Sequence, residues 1–246
     1  HEGLSDKNGF PTQALSSLYA RLAKGGVGLI ITGFSFVSRD GKCIYWRSHG
    51  IDRDDHIPAY RKLIHQIHAQ DVKIAMQISH AGRQTTRDMI GTQPIAPSAV
   101  KDKSLFTLPR EMTEADIERI ISAFGHAAGR AKASGFDAIQ LHGAHGYLIN
   151  QFLNPYTNRR TDQWGGSLEN RMRFIRRIFL ECRNQVGPDY PSLIKINGRD
   201  NMKNGLTLEE SVETAVMMEH MGFDAIEVSG GIGEDGFSSL RGALPV

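Results

Sequence analysis

Apolar residues follow two alternating rhythms along this chain. Sets with helical spacing, such as Leu15, Leu18, Tyr19 and Leu22, or Tyr60, Leu63, Ile64 and Ile67, each precede a short apolar run, at 27–32 and 72–78. The order repeats three times more. A helix from Thr113 to about 134 leads into a strand at 136–142. A helix after Ser167, with Phe174, Ile175, Ile178 and Phe179 on one face, leads into 191–197, and a helix after Thr207 leads into 223–228. Thr12, Thr113, Ser167 and Thr207 suit N-caps, the early acids after Thr113 suit the helix dipole, and Gly25-Gly26, Gly135 and Gly222 suit helix ends. The stretches 33–55 and 79–112 read as long loops, the second functional. Strict helix–strand alternation implies a parallel sheet with right-handed crossovers. Only five strands are countable, whereas a closed (β/α)8 TIM barrel has eight, so the expected fold class is α/β, an incomplete TIM barrel.

Within the strands the period falls to two. Ile74, Met76 and Ile78, Ile139 and Leu141, and Ile194 and Ile196 are expected to face the helices. Gln77, Gln140, His142, Lys195 and Asn197 then face the interior. A polar group buried there without a partner costs about 1–3 kcal/mol, so several converging ones imply a polar ligand. His142, His145 and Tyr147 follow at once where strand 136–142 ends, the position of an active-site mouth.

That mouth carries a long motif, His142-Gly-Ala-His145-Gly-Tyr147-Leu-Ile-Asn-Gln-Phe-Leu-Asn-Pro155, then Asn158-Arg-Arg-Thr-Asp-Gln-Trp-Gly-Gly-Ser-Leu-Glu-Asn-Arg171. It resembles the Old Yellow Enzyme family of NAD(P)H:flavin oxidoreductases. Gly9-Phe-Pro-Thr12, Gly26-Val-Gly-Leu-Ile-Ile-Thr32, Gln77-Ile-Ser-His-Ala-Gly-Arg83 and Ile95-Ala-Pro-Ser98 extend the resemblance along nearly the whole chain. It implies FMN as cofactor, NAD(P)H as hydride donor, and as substrate a small-molecule activated alkene, the C=C bond of an α,β-unsaturated carbonyl. By resemblance His142 and His145 hydrogen-bond the carbonyl oxygen, Tyr147 gives a proton to the α-carbon, and Gln77 contacts the flavin. The residues suit that reading. A carboxamide can match the alternating donors and acceptors of an isoalloxazine pyrimidine edge, and a Lys195 cation near N1 would favour the reduced ring. The family often has Arg at the Lys195 position, and Lys keeps the charge while losing the planar fork.

By the same resemblance 27–32 is the second barrel strand and 223–228 the sixth. Residues 1–246 then form one partial barrel domain, strands 2–6, lacking the first strand and the last two β/α units. The flavin phosphate anchor would be absent, and these residues alone are expected to hold FMN weakly or not at all. The chain opens on His1, so an earlier native start is expected. Some relatives carry a further iron–sulfur and second flavin domain after the barrel, and the chain leaves room for one.

A formal charge of +2 over 246 residues, with no run of like charges, argues against nucleic acid or a membrane surface as partner. Homo-oligomerisation stays open. Cys43 and Cys182 lack redox or metal spacing, with Cys182 expected in the core and Cys43 exposed in a loop. No signal peptide or membrane-length apolar run is present, so cytoplasmic is the default. The His-x-x-His spacing invites a metal, but no carboxylate or Cys stands at ligand spacing and no Glu lies between. Gly230-Gly231-Ile-Gly233 is weak as a phosphate loop. Arg160, Thr161 and Asp162 with Trp164 read as a loop clasp, and His80 and Arg83 as either functional or loop-fixing. Two rival functions remain: a Schiff-base, aldolase-type barrel using Lys195, and a non-catalytic barrel fragment that pairs its open sheet edges with another chain.

Overall fold

The helix signals in the sequence become helices almost to the residue. The structure, a computed structural model, describes residues 2–234, so His1 and most of the Gly- and Ser-rich stretch from 229 lie outside the described residues. In chain order the elements begin with α1 (Gln13–Lys24), β1 (Leu29–Ile31), β2 (Ser35–Phe36), β3 (His49–Gly50), α2 (His56–His68) and β4 (Lys73–Ser79). Then come α3 (Arg87–Ile90), β5 (Ile95–Ala96), β6 (Arg110–Glu111), α4 (Glu114–Ser134), β7 (Ala138–Gly143) and α5 (Leu148–Leu153). The last are α6 (Leu168–Val186), β8 (Ser192–Asn197), α7 (Leu208–Met221) and β9 (Ala225–Ser229). Thr113 and Thr207 form full capping boxes with Asp116 and Glu210, satisfying N–H groups that a helix start leaves unpaired. Thr12 precedes α1 but caps nothing; its hydroxyl donates instead to the Leu4 carbonyl.

Among the described residues seven strands form one parallel sheet. Its spatial order is β3-β2-β4-β7-β8-β9, with β1 also paired to β4. β1 and β2 lie end to end along one side of β4, pairing with 73–75 and 78–79, so they are one sheet position interrupted at 32–34. With β4, β7, β8 and β9 this makes the five positions read from the sequence; β3 beside β2 adds a sixth, and the sheet does not close among the described residues. The loop stretches hold more structure than expected: β2 and β3 within 33–55, α3 and the β5–β6 pair within 79–112, and α5 after β7. Two-residue strands and one-turn helices are too short to show a period.

The interruption at 32–34 is held by specific bonds. The Gly33 N–H donates to Glu2 Oε1 at 3.1 Å and lies 3.2 Å from the Tyr19 hydroxyl, and a Cβ at Gly33 would sit 2.1 Å from Glu2 Oε2. A side chain at this position would displace the Glu2 carboxylate from the Gly33 N–H. Thr32 spans the gap with its hydroxyl, which accepts from the Gln77 N–H at 3.2 Å.

On the outer face, Ile74, Met76, Ile78, Ile139, Leu141, Ile194 and Ile196 are buried against helical residues such as Leu63, Ile67, Ile120, Phe124, Phe174 and Ile178. Burying each such side chain contributes roughly 1.5–3 kcal/mol. Cys182 joins this core, as expected. No helix among the described residues is long and apolar enough to cross a membrane.

The segment between α5 and α6 is the expected clasp. Asn158 Nδ2 donates to the carbonyls of Phe152 and Trp164, both at 2.7 Å. Arg160 donates to the carbonyls of Pro97 and Met112 and pairs with Asp162. Trp164 is fully buried, with its indole N–H on Glu114 Oε2 at 2.7 Å. Trp164→Ala should therefore destabilise the fold by about 3–5 kcal/mol, read from the denaturant midpoint, with Trp164→Phe costing clearly less. A change below 1 kcal/mol for the alanine variant would mean that the clasp bears no weight.

Candidate active site

Parallel strands end on the same side, so the C-terminal ends of β4, β7, β8 and β9 share one rim. Register then sets the neighbours: Gln77 beside Gln140, His142 beside Lys195, Lys195 beside Glu227, and Asn197 beside Ser229. Residues in register point to the same face. The polar set expected inside the barrel is found there, on the face away from the helices.

At this rim lies a cavity of about 340 Å³ whose walls include Thr32, Phe34, Gln77, His142, His145, Lys195 and Glu227. It falls within the range of small-molecule sites. A groove of about 410 Å³ between α6 and α7 lies on the outer helical surface, away from the strand ends. Four of the five residues singled out from the sequence, Gln77, His142, His145 and Lys195, thus share one cavity. Tyr147 stands beside it, its ring centroid 4.8 Å from that of His142 and 5.0 Å from that of Phe34.

How His145 reaches the cavity is a matter of backbone. After β7 the chain turns through two left-handed residues, His145 at φ 59° and Gly146 at φ 79°. A non-glycine residue is strained there, at a cost of about 1–3 kcal/mol, and persists only when its surroundings enforce it. They do so here. Asn197 Oδ1 accepts the His145 N–H at 3.1 Å, Gln84 Nε2 donates to the His145 carbonyl at 2.8 Å, and Asn150 Oδ1 accepts the Gly146 N–H at 2.8 Å. The turn sets the two imidazoles edge to face, with centroids 5.1 Å apart. His145 Nε2 lies 2.6 Å from Ser229 Oγ.

Burial governs the charge of these groups. It lowers His142 well below the ordinary imidazole range, helped by the nearby His145 and Lys195. His145 is lowered by burial and by Lys195, against the opposing pull of Glu227. Burial raises Tyr147 well above the ordinary phenol range, so its O–H stays in place. Both rings are therefore neutral near pH 7, each with one N–H to donate. His142 Nδ1 is buried with no hydrogen-bond partner in the protein. A carboxamide and an ammonium on one side of the cleft, Gln77 and Lys195, suit a flat ring with alternating donors and acceptors. The isoalloxazine of FMN is such a ring.

Lys195 differs from the expectation of a lone cation. Its Nζ pairs with Glu227 Oε1 at 2.8 Å, and Glu227 Oε2 accepts from Gln140 Nε2 at 2.9 Å. Glu227 and Ser229 carry no role in the sequence reading, although a signal existed. Their strand obeys the same period of two, and register places them beside Lys195 and Asn197. Thr32 and Phe34 were hidden because the strand breaks between them.

Other expectations resolve differently. Cys43 is buried, not exposed, because its loop folds back and packs the thiol against Ala81 and Tyr147. Arg83 fixes a loop: it pairs with Glu234 at 2.8 Å and donates to the carbonyls of Val100 and Lys101. His80 is buried, with its Nδ1 accepting the Gly82 N–H at 3.0 Å. Among the described residues no group of three His, Cys, Asp or Glu side chains could hold a metal ion.

An open parallel β/α sheet with a polar cavity at its strand ends, lined by two imidazoles with a phenol beside them, is a barrel-type small-molecule site. The sequence profile of the NADH:flavin oxidoreductase / NADH oxidase family matches residues 3–231, and the chain belongs to that family. It is 44% identical over 233 residues to an NADH oxidase of Thermoanaerobacter brockii, covering 94% of this chain and 36% of that protein. It is 43% identical over 213 residues to an NADPH dehydrogenase of Geobacillus sp. (strain WCH70), covering 87% of this chain and 61% of the relative. A solved 2-naphthoyl-CoA reductase in complex with 2-naphthoyl-CoA superposes with a TM-score of 0.91 at 31% identity, covering 95% of this chain and 38% of that one. The chain thus spans about a third to three fifths of the length of these relatives. The fold is the expected one, an α/β barrel sheet that stays open among the described residues.

The depressed imidazole of His142 has a consequence for stability. The unfolded chain takes up the proton near pH 6.5 while the folded chain resists it, so stability should be full above that pH and fall as pH drops below it. Denaturant midpoints between pH 7.5 and 5.5 should show this fall, reduced in His142→Asn. Equal slopes in both proteins would remove His142 as the cause.

Proposed function

We propose that this chain is the substrate-facing part of one FMN-dependent barrel domain that uses NAD(P)H to reduce the activated C=C bond of an α,β-unsaturated carbonyl compound. The observation that carries this reading is the cavity at the strand ends shared by His142, His145, Gln77 and Lys195. Membership of the NADH:flavin oxidoreductase / NADH oxidase family supports it.

Gln77 and Lys195 would hold the flavin ring, the carboxamide on its pyrimidine edge and the ammonium near it. When bound, FMN supplies a hydride, drawn from NAD(P)H, to the β-carbon of the alkene. His142 and His145 hold the substrate carbonyl oxygen, where negative charge grows during that addition. Preplaced donors there cost no reorganisation, and losing one such donor typically lowers the rate about 100- to 1000-fold. The strained turn at His145 fixes its ring in advance of the substrate. Tyr147, its phenol kept protonated by burial, gives its proton to the α-carbon. The aromatic wall of Phe34, with Tyr45 at 6.4 Å, favours flat apolar substrates.

The Schiff-base rival fares less well. An attacking amine must be free to reach a carbonyl carbon, and Lys195 Nζ is already engaged by the Glu227 carboxylate at 2.8 Å.

Two half-reactions of the full-length flavoenzyme, followed separately in stopped flow, test the assignment. Tyr147→Phe should leave flavin reduction by NAD(P)H within about twofold and slow flavin reoxidation by an enone about 100- to 10,000-fold. Full alkene turnover in this variant, or in a His142→Ala/His145→Ala double variant, would overturn the assigned roles.

A further inference from the structure

A line of hydrogen bonds crosses the cavity floor. Gln77 Nε2 donates to Gln140 Oε1 at 2.5 Å, Gln140 Nε2 donates to Glu227 Oε2 at 2.9 Å, and Lys195 Nζ donates to Glu227 Oε1 at 2.8 Å. The line therefore has a direction. An ionised carboxylate can only accept, so Gln140 must turn its NH2 toward Glu227 and its carbonyl toward Gln77. Gln77 must then spend an N–H on Gln140. Gln140 is fully buried, so its amide is committed to these two protein partners. Burial alone would raise Glu227, but its bonds from Lys195 and Gln140 hold it below the ordinary carboxylate range, which keeps it an acceptor.

We propose that Glu227 is a positioning residue: it sets the direction of this line and so makes Gln77 present its carbonyl oxygen to the flavin pyrimidine edge. The inference rests on the flavin reading above. A pyrimidine N3–H needs an acceptor facing it, and an amide turned the other way would set donor against donor. Neither Gln77 nor Gln140 can fix its own orientation, because a carboxamide offers both kinds of atom. The carboxylate supplies the asymmetry, and Lys195 secures it from the other side.

The direction can be reversed by one isosteric change at a half-exposed position, where the fold tolerates substitution. In Glu227→Gln the new amide turns its oxygen to the Lys195 ammonium and its NH2 to Gln140. Gln140 must then accept, and Gln77 is left showing NH2 to the ligand. Adding Gln140→Met removes the link, and Gln77 regains the freedom to turn.

The test is the ratio of affinities for FMN and 3-methyl-FMN, which has no N3–H, measured by fluorescence titration of the flavin-stripped full-length protein. The native protein should prefer FMN. Glu227→Gln should shrink that preference about three- to tenfold, the worth of one hydrogen bond, and the double variant should restore it. General loosening of the cavity would weaken both ligands alike and leave the ratio unmoved. An unchanged ratio in Glu227→Gln, or no recovery in the double variant, overturns the directional role while native FMN binding leaves the flavin reading standing. A native protein that binds neither flavin overturns both.

Discussion

A parallel strand buried on both faces has no water to fall back on, and this constraint shapes the molecule. One face of β4, β7 and β8 solves it with apolar side chains against helices. The other face carries amides, an ammonium and imidazoles, which must find partners among themselves or in a ligand. Gln77, Gln140, Glu227 and Lys195 find one another. Asn197 spends its amide on Asp200, on the Gly231 carbonyl and on the backbone of His145. His142 Nδ1 is left over.

Strain is placed at the same spot. The left-handed His145 would relax elsewhere, but Asn197, Gln84 and Asn150 hold the turn from three separate segments. Two of these, Asn150 and Asn197, are fully buried, so the turn is braced by the fold and not by solvent. The first turn of α5 adds to this, since the Leu148 N–H donates to the His80 carbonyl at 2.9 Å. Catalytic geometry in the proposed reaction would thus be inherited from packing.

Long elements and their faces were legible in the sequence because periodicity accumulates with length. The runs Ile74/Met76/Ile78 and Ile194/Ile196 declared both a strand and its outward side, and so fixed Gln77 and Lys195 as inward. Short elements escaped: β2, β3, β5 and β6 have two residues each, too few to reveal a rhythm. The position of Cys43 escaped for another reason, since nothing local to a loop shows that it folds back beneath a tyrosine. Glu227 escaped through a partner effect. Its meaning depends on Lys195 one strand away, and register between strands distant in sequence is a property of the folded sheet. The pair also tempers the simplest electrostatic picture, because an ammonium beside a carboxylate projects far less field than an ammonium alone.

The thiol behind Tyr147 has its own consequence. Unsaturated carbonyl compounds alkylate sulfur, and the reacting species is the thiolate. Cys43 sits in the same small apolar nest as Tyr147 and Ala81, and burial raises it above its ordinary value. A sulfur atom can therefore stand next to the proposed proton donor as the protonated thiol, so an electrophile bound for the proposed reduction would meet a weakened nucleophile there.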